Sequence, residues 1–160
     1  MKSNRKTRVM IKFVLISIKM KVFHSLDTIG KINNPVLTIG TFDGVHLGHQ
    51  KILKKLVEQA KKINGESVLL TFYPHPRMVL YPENHGLQLI QTQEEKLDSL
   101  EKTGLDNVVI LPFSKEFSRI SAWDFVRDIL INAFNIHTLV IGYDHHFGKN
   151  REGNINYLKD

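Results

Sequence analysis

The chain has 160 residues, 42% of them hydrophobic, a length sufficient for one domain with a sizeable buried core. It contains no cysteine, which excludes disulfide scaffolds, thiolate metal sites and cysteine nucleophiles and favours a cytoplasmic location. The net charge is +6, from 22 basic and 16 acidic side chains, a balance that at face value favours a nucleic-acid or membrane partner.

The excess of positive charge lies entirely at the start of the chain. Residues 1–19 carry six basic side chains and no acid, and the rest of the chain carries 16 of each sign. The apolar run within this leader is interrupted by Lys12, lacks a small-residue cleavage site, and is shorter than the roughly 20 residues of a membrane span. We predict that residues 1–19 are a disordered leader or an extension from an upstream start, and that residues 20–160 form the folded domain. Neither nucleic acid nor a membrane is expected as a partner.

Apolar runs alternate with amphipathic segments along the neutral part of the chain. Runs without polar alternation predict four buried strands, over residues 36–39, 67–72, 108–111 and 139–141. Apolar spacing and capping residues predict helices between them, over about 53–60, 92–104 and 121–130. This order predicts an α/β fold, a Rossmann-like doubly wound parallel sheet that binds ligands beyond the carboxyl ends of its strands.

The loop after the first of these strands carries the strongest functional signal. Residues 40–49 contain three glycines, Asp43, His46 and His49. Glycines permit a tight turn and close approach of a ligand, and free N–H groups at the start of the following helix suit a phosphate. Because the two histidines are three residues apart, they share one face and can donate hydrogen bonds to a phosphorane-like transition state. We therefore favour a functional site over a glycine-rich turn with two surface histidines.

Two later loops follow strands that end at the same edge of the predicted sheet. Residues 72–76 combine aromatic side chains with two stiffening prolines, which suits a planar ring; a plain turn with aromatic core anchors is the alternative. Residues 142–153 hold three glycines, His145, His146 and basic side chains, which suit anions and the edge of a ring. Adjacent histidines rarely converge on one metal and no third ligand is evident, so a zinc site is not expected.

The string Gly-Thr-Phe-Asp-x-x-His-x-Gly-His over residues 40–49 resembles the signature of the HxGH nucleotidylyltransferases, which cytidylyltransferases for polyol or choline phosphates share nearly unchanged. With the two later loops in the same order, residues 20–160 resemble the N-terminal FMN adenylyltransferase module of bacterial bifunctional riboflavin kinase/FAD synthetases. The resemblance implies transfer of AMP from ATP to FMN, giving FAD and pyrophosphate, with Mg²⁺ on the phosphates. The alternatives are a cytidylyltransferase for a small phosphorylated alcohol and a non-catalytic flavin- or nucleotide-binding fragment.

The resemblance also implies roles for individual residues. The implied catalytic residues, acting as transition-state donors at the α-phosphate of ATP, are His46 and His49. The implied ATP-binding residues are Gly40, Thr41, Phe42, Asp43 and Gly48. The implied flavin-binding residues are Phe72, Pro74, His75, Pro76, Asp144 and Phe147. The family often has Phe and Arg between the last two positions, where this chain has His145 and His146.

The family's Ser-Ser/Thr-x-x-Arg segment, which holds the triphosphate, has no match before Asp160, and the riboflavin kinase domain is absent too. We therefore expect the chain to be either a fragment of a longer enzyme or a short form that binds nucleotide poorly, with a sheet truncated at its C-terminus. The sequence does not indicate an oligomeric state.

Overall fold

The computed structural model describes residues 19–83 and 86–159, and its centre is a five-stranded sheet. The strands are β1 (Lys21–Phe23), β2 (Val36–Ile39), β3 (Ser67–Tyr73), β4 (Asn107–Pro112) and β5 (Thr138–Leu139). They lie in the order β1-β4-β3-β2-β5, and each pairing between them is parallel. The prediction of a doubly wound parallel sheet is confirmed. The leader lies outside the described residues except for Lys19, so its predicted disorder stays a prediction.

Helices connect the strands. They are α1 (Leu47–Lys62), α2 (Pro76–Leu80), α3 (Gln93–Glu101) and α4 (Ala122–Asp124), and the last continues as a π-helix over Phe125–Ala133. The capping residues lie where the predicted helices begin. Thr92 and Glu95 form a capping box at the start of α3, and the Ser121 side chain accepts the N–H of Asp124 at the start of α4. No helix in the described part of the chain is long and apolar enough to cross a membrane.

Helices cover both faces of the sheet. Successive residues of a strand point to opposite faces, so the central strands contribute side chains to two core clusters. One core cluster joins α1 and α3 to the sheet and includes Leu53, Leu56, Ala60, Leu100, Val36, Leu69 and Val108. The second cluster joins the π-helix to the opposite face and includes Phe125, Ile129, Leu130, Leu37, Val68, Leu70 and Val109. This two-sided burial explains why the central strands are apolar without alternation.

Three elements differ from the predicted ones. β1 was not predicted, because it is a three-residue edge strand with two exposed positions and so has no apolar run. β5 covers Thr138–Leu139 rather than 139–141, although the N–H of Val140 still donates to the carbonyl of Leu37 over 2.8 Å. The helix after Ser121 is an α-helix for only three residues before it widens into the π-helix.

The strand order fixes where a ligand site can form. From β2 the chain passes to β3 and β4 on one side of the sheet, and it then crosses through the π-helix to β5 on the other side of β2. The order therefore reverses between β2 and β5, and ligands of doubly wound sheets bind at such a switch point. The loops that follow these two strands are two of the three singled out in the sequence.

Candidate active site

The loop between β2 and α1 folds over a buried phenylalanine. Phe42 is 3% exposed and has φ 50°, in the left-handed region. A Cβ at Gly40 would lie 2.7 Å from the Phe42 ring, so a side chain there would force this buried ring to shift. Gly44, with φ 76°, packs against the side chain of Ile90. Two of the loop's glycines therefore serve its own packing, and an additional role in an ATP pocket stays a prediction.

His46 caps α1 with its own ring. Its Nδ1 accepts the N–H groups of Gly48 at 3.2 Å and His49 at 3.4 Å. A neutral ring that accepts through Nδ1 carries its hydrogen on Nε2, so His46 presents a donor to an incoming ligand. The expectation that free N–H groups at this helix start would bind phosphate needs correction, because two of them are already taken by the His46 ring.

The ring of His49 contacts two other rings. Its centroid lies 3.7 Å from that of His46, in a stacked arrangement, and 4.5 Å from that of Phe42. Burial lowers the pKa of His49 to about 4, and the charge of His46 acts in the same direction. His49 is therefore neutral near pH 7. Its Nδ1 is buried and has no partner in the described part of the chain, which leaves Nε2 as the nitrogen that can meet a substrate.

Asp43 connects this loop to the segment before α3. Its carboxylate accepts the backbone N–H of Ile90, at 3.0 and 3.2 Å from its two oxygens, and that of Gln91 at 3.3 Å. These bonds join positions 47 and 48 residues apart in the chain. They give Asp43 a structural role that the sequence did not suggest, and its predicted contact with ATP stays a prediction.

Lys96 is the main site residue that the sequence analysis missed. It lies on α3, is only 7% exposed, and its Nζ donates to the Thr41 carbonyl at 2.9 Å and the Thr71 hydroxyl at 3.1 Å. Burial lowers the pKa of Lys96 to about 8, and the carboxylate of Asp43 opposes the shift. A signal was present in the sequence, because Lys96 lies four residues before the core residue Leu100 and so shares its inward face.

The loop after β3 reaches the same site. The Nδ1 of His75 accepts the N–H of Arg77 at 3.2 Å and caps α2, where Pro76 occupies the first turn. Burial lowers the pKa of His75, and the charges of Asp43 and Lys96 also act on it. The loop after β3 therefore lies within electrostatic reach of the β2–α1 loop.

The aromatic residues of the loop after β3 divide between core and surface. Phe72 is half-buried and contacts the rings of Phe113 and Phe117. These contacts agree with the alternative prediction, in which the aromatic residues of this loop are core anchors. Tyr73 is 55% exposed, and Pro74 beside it is exposed too. The exposed flat surface is thus offered by Tyr73 and Pro74, whereas flavin binding by Phe72, Pro74, His75 and Pro76 stays a prediction.

The loop after β5 is fixed by glycines and one glutamate. Gly153 pairs with Phe147 in an antiparallel bridge, and a Cβ there would lie 2.5 Å from the Phe147 ring. Glu152 accepts the N–H of Ala122 at 2.8 Å, which ties the loop to the start of α4. The Phe147 ring is 7% exposed and belongs to the core, so its implied contact with flavin finds no support in this arrangement. Asp144 is exposed.

The structure thus brings some predicted residues together and not others. Thr41, Asp43, His49 and His75 lie near Lys96, and the rings of Phe42 and His46 contact that of His49. Asp144 and Phe147 lie apart from this group. Asp144 acts on the neighbouring His145, and the Phe147 ring contacts the rings of Phe125, His145 and Tyr157. Within residues 19–83 and 86–159, no three His, Cys, Asp or Glu side chains form a group that could hold a metal ion.

A doubly wound parallel sheet with paired histidines at the start of the helix after its central strand defines a domain of the nucleotidylyltransferase type. Comparison with known proteins narrows this class, since a family model described as FAD synthetase matches residues 29–160. The chain belongs to the FAD synthetase family.

Individual relatives agree with this assignment. The chain is 39% identical over 142 residues to a bifunctional riboflavin kinase/FMN adenylyltransferase of Buchnera aphidicola subsp. Schizaphis graminum, covering 88% of this chain and 45% of that protein. It is 35% identical over 124 residues to the protein of the same description from Escherichia coli K12, covering 78% of this chain and 39% of that protein. The chain therefore spans less than half the length of these curated relatives.

The fold also occurs in a solved structure. A Streptococcus pneumoniae chain described as a macrolide-efflux protein superposes with a TM-score of 0.76 at 29% identity. The match covers 89% of this chain and 46% of that one. It supports the nucleotidylyltransferase-type fold of this chain.

Proposed function

We propose that the chain is an FMN adenylyltransferase that transfers AMP from ATP to FMN and releases FAD and pyrophosphate. The observation that carries the proposal is the stacked histidine pair at the start of α1, with ring centroids 3.7 Å apart. The choice of FMN as acceptor is supported by the family match and by the descriptions of the relatives. The proposal includes a cytoplasmic location, where both substrates are available.

The mechanism rests on alignment and charge stabilisation. The FMN phosphate is largely ionised near pH 7, so the attacking oxygen needs no strong general base. His46 can donate through Nε2, because its Nδ1 is committed to the cap. His49 meets the α-phosphate through Nε2 as a neutral ring, since burial holds its pKa at about 4. Donors already in place where charge develops lower the barrier to in-line transfer.

The substrate is ATP in its Mg²⁺ complex. The described residues form no group of three metal-ligating side chains, and the carboxylate of Asp43 already accepts backbone N–H groups. A Mg²⁺ ion bound mainly by phosphate oxygens and water needs few protein ligands. We therefore assign the ion to the nucleotide and assign no residue of this chain as its ligand.

The test is an incubation of the whole chain with ATP, Mg²⁺ and FMN, followed by chromatography for FAD and an assay for pyrophosphate. We expect FAD and pyrophosphate in equal amounts, and no FAD-type product when CTP replaces ATP. In a parallel incubation with CTP and a small phosphorylated alcohol as acceptor, pyrophosphate release that FMN does not affect would instead identify a cytidylyltransferase. Binding of FMN with no pyrophosphate release would identify a non-catalytic fragment, and either result would overturn the proposal.

A further inference from the structure

Lys96 carries a buried ammonium group that forms no ion pair with a carboxylate in the described part of the chain. The residue is 7% exposed. Its Nζ meets two neutral oxygens, the Thr41 carbonyl and the Thr71 hydroxyl. Lysine is almost never buried in this way unless an anion balances it. An apolar side chain of the same length would fill the position without the desolvation penalty, so packing does not explain the lysine.

The two contacts place the charge directly beneath the β2–α1 loop. The Thr41 carbonyl lies between Gly40 and Phe42, and the Thr71 hydroxyl also donates to this carbonyl, over 3.3 Å. Lys96 and Thr71 therefore both restrain the peptide from which the histidine-bearing turn begins. Through this peptide, a residue of α3 sets the position of a loop more than 50 residues earlier in the chain.

The charged and titratable groups that face Lys96 are Asp43, His49 and His75. The carboxylate of Asp43 is the one anion among them, and it is engaged by the N–H groups of Ile90 and Gln91. The charge of Lys96 lowers the pKa of both histidines. The surroundings thus leave a positive potential at the site that a polyanionic ligand would balance.

We infer that Lys96 is a positioning residue of the transfer site, whose buried ammonium fixes the β2–α1 loop and whose charge is balanced by the phosphates of the bound nucleotide. The inference rests on the proposed function, because it takes the nucleotide to bind at the histidine pair. Neither a direct contact with phosphate nor a role in proton transfer is part of it.

A pH dependence follows from this role. Burial lowers the pKa of Lys96 from 10.5 to about 8 in the free protein, and a nearby polyanion favours the charged form and raises this pKa again. The nucleotide therefore binds the protonated form more tightly, and its affinity falls as the pH rises from 7 towards 9. Carboxyl and imidazole groups ordinarily titrate below about pH 7, so Lys96 is the group facing this site whose charge changes in that range.

The experiment is calorimetric titration of the whole chain with Mg²⁺–ATP at pH 7 and pH 9. The variants are Lys96→Met, which keeps the length but removes the charge, and Lys96→Arg, which keeps the charge at both pH values. Lys102→Met is the matched control, because Lys102 is exposed at the C-terminal end of the same helix. Circular dichroism melts of each variant show whether the fold is retained.

We expect Lys96→Met to weaken ATP binding at pH 7 by about tenfold, the scale of one nearby charge at a partly screened site. It should also remove most of the decline that the wild type shows between pH 7 and pH 9. Lys102→Met should bind like the wild type, and Lys96→Arg should bind equally at both pH values. Because the wild-type pH profile is itself a readout, the test does not depend on the folding of one variant.

Two results would overturn the inference while leaving the proposed function intact. One is equal affinity of the wild type and a folded Lys96→Met variant at pH 7, and the other is a wild-type affinity that does not fall by pH 9. A wild-type chain that binds no Mg²⁺–ATP at either pH would overturn both the inference and the proposed function.

Discussion

The protonation state of the His49 ring is set by the residues that pack against it. Contact with Phe42 and His46 removes it from water, and burial lowers its pKa to about 4. A neutral imidazole at this position can donate a hydrogen bond to a developing negative charge over the whole range from about pH 5 to pH 8. His46 differs, because its Nδ1 is committed to two backbone N–H groups and the ring is thereby oriented. The pair combines one ring fixed by hydrogen bonds with one ring fixed by packing.

The first residue-scale prediction concerns His49→Ala. We expect the rate of pyrophosphate release at saturating ATP to fall by about 10²- to 10³-fold, the usual effect of removing one transition-state donor. The dissociation constant for Mg²⁺–ATP should change by less than tenfold, because the donor acts mainly after charge develops. Both quantities come from initial rates and calorimetry on the same preparation.

His24→Ala is the control for this substitution, because His24 is exposed and follows β1 at the far edge of the sheet. It should leave rate and affinity unchanged. If His49→Ala reduced ATP binding as much as turnover, His49 would be a ground-state ligand of the nucleotide rather than a transition-state donor.

At this scale the sequence predicted the histidine pair but not the residues that support it. The pair stands in one short motif, and in the structure His46 caps α1 and stacks on His49 in its first turn. The bonds of Asp43 to Ile90 and of Lys96 to Thr41 join positions 47 and 55 residues apart, and no local pattern records such a contact. The resemblance implied a flavin contact for Phe147; its ring is buried in the core, a placement that the sequence did not indicate, and the flavin contact stays a prediction.

At the scale of elements, hydrophobic patterning predicted the central strands and the helices that cover them. It missed β1, which has no buried run, and it did not separate an α-helix from the π-helix over Phe125–Ala133. Apolar spacing reports which residues face the core, and a small change in helical pitch shifts that spacing too little to be detected. Trp123 lies at this transition and is 59% exposed, although it is a large apolar residue.

The loop after β5 provides the element-scale prediction. Gly148 has φ 73° and ψ 178°, a region that is essentially restricted to glycine, and a Cβ there would lie 2.7 Å from the Ala122 backbone. We expect Gly148→Ala to lower the free energy of unfolding by about 3 kcal/mol, through backbone strain together with overpacking. Urea denaturation of the purified variant measures this loss.

The matched control for this loop is Gly104→Ala. Gly104 has φ 78°, but a Cβ there would meet nothing within 4 Å. Strain alone should lower the free energy of unfolding by about 1 kcal/mol. Equal losses for the two variants would show that the loop after β5 yields to the added methyl group and is not held against α4.

At the scale of the whole molecule, the net charge of the leader differs from that of the folded part. All of the net +6 belongs to residues 1–19, and the rest of the chain carries 16 charges of each sign. A phosphate site in the folded part therefore depends on local groups, and the proposed ones are the two histidines and the buried ammonium of Lys96. None of the described site residues lies within residues 1–19, so we expect the leader to be dispensable for nucleotide binding.

The last prediction is that a chain beginning at Met20 keeps the fold and the site. Met20 is 8% exposed and packs in the cluster of α1 and α3, and β1, which pairs with β4, begins at the next residue. We expect its melting temperature and its affinity for Mg²⁺–ATP to match those of the 160-residue chain. A chain beginning at Ser25 should melt at a lower temperature, because it lacks both Met20 and the parallel pairing of β1 with β4. Circular dichroism melts of the three chains compare them directly, and a Met20 chain as unstable as the Ser25 chain would show that the leader contributes to the fold.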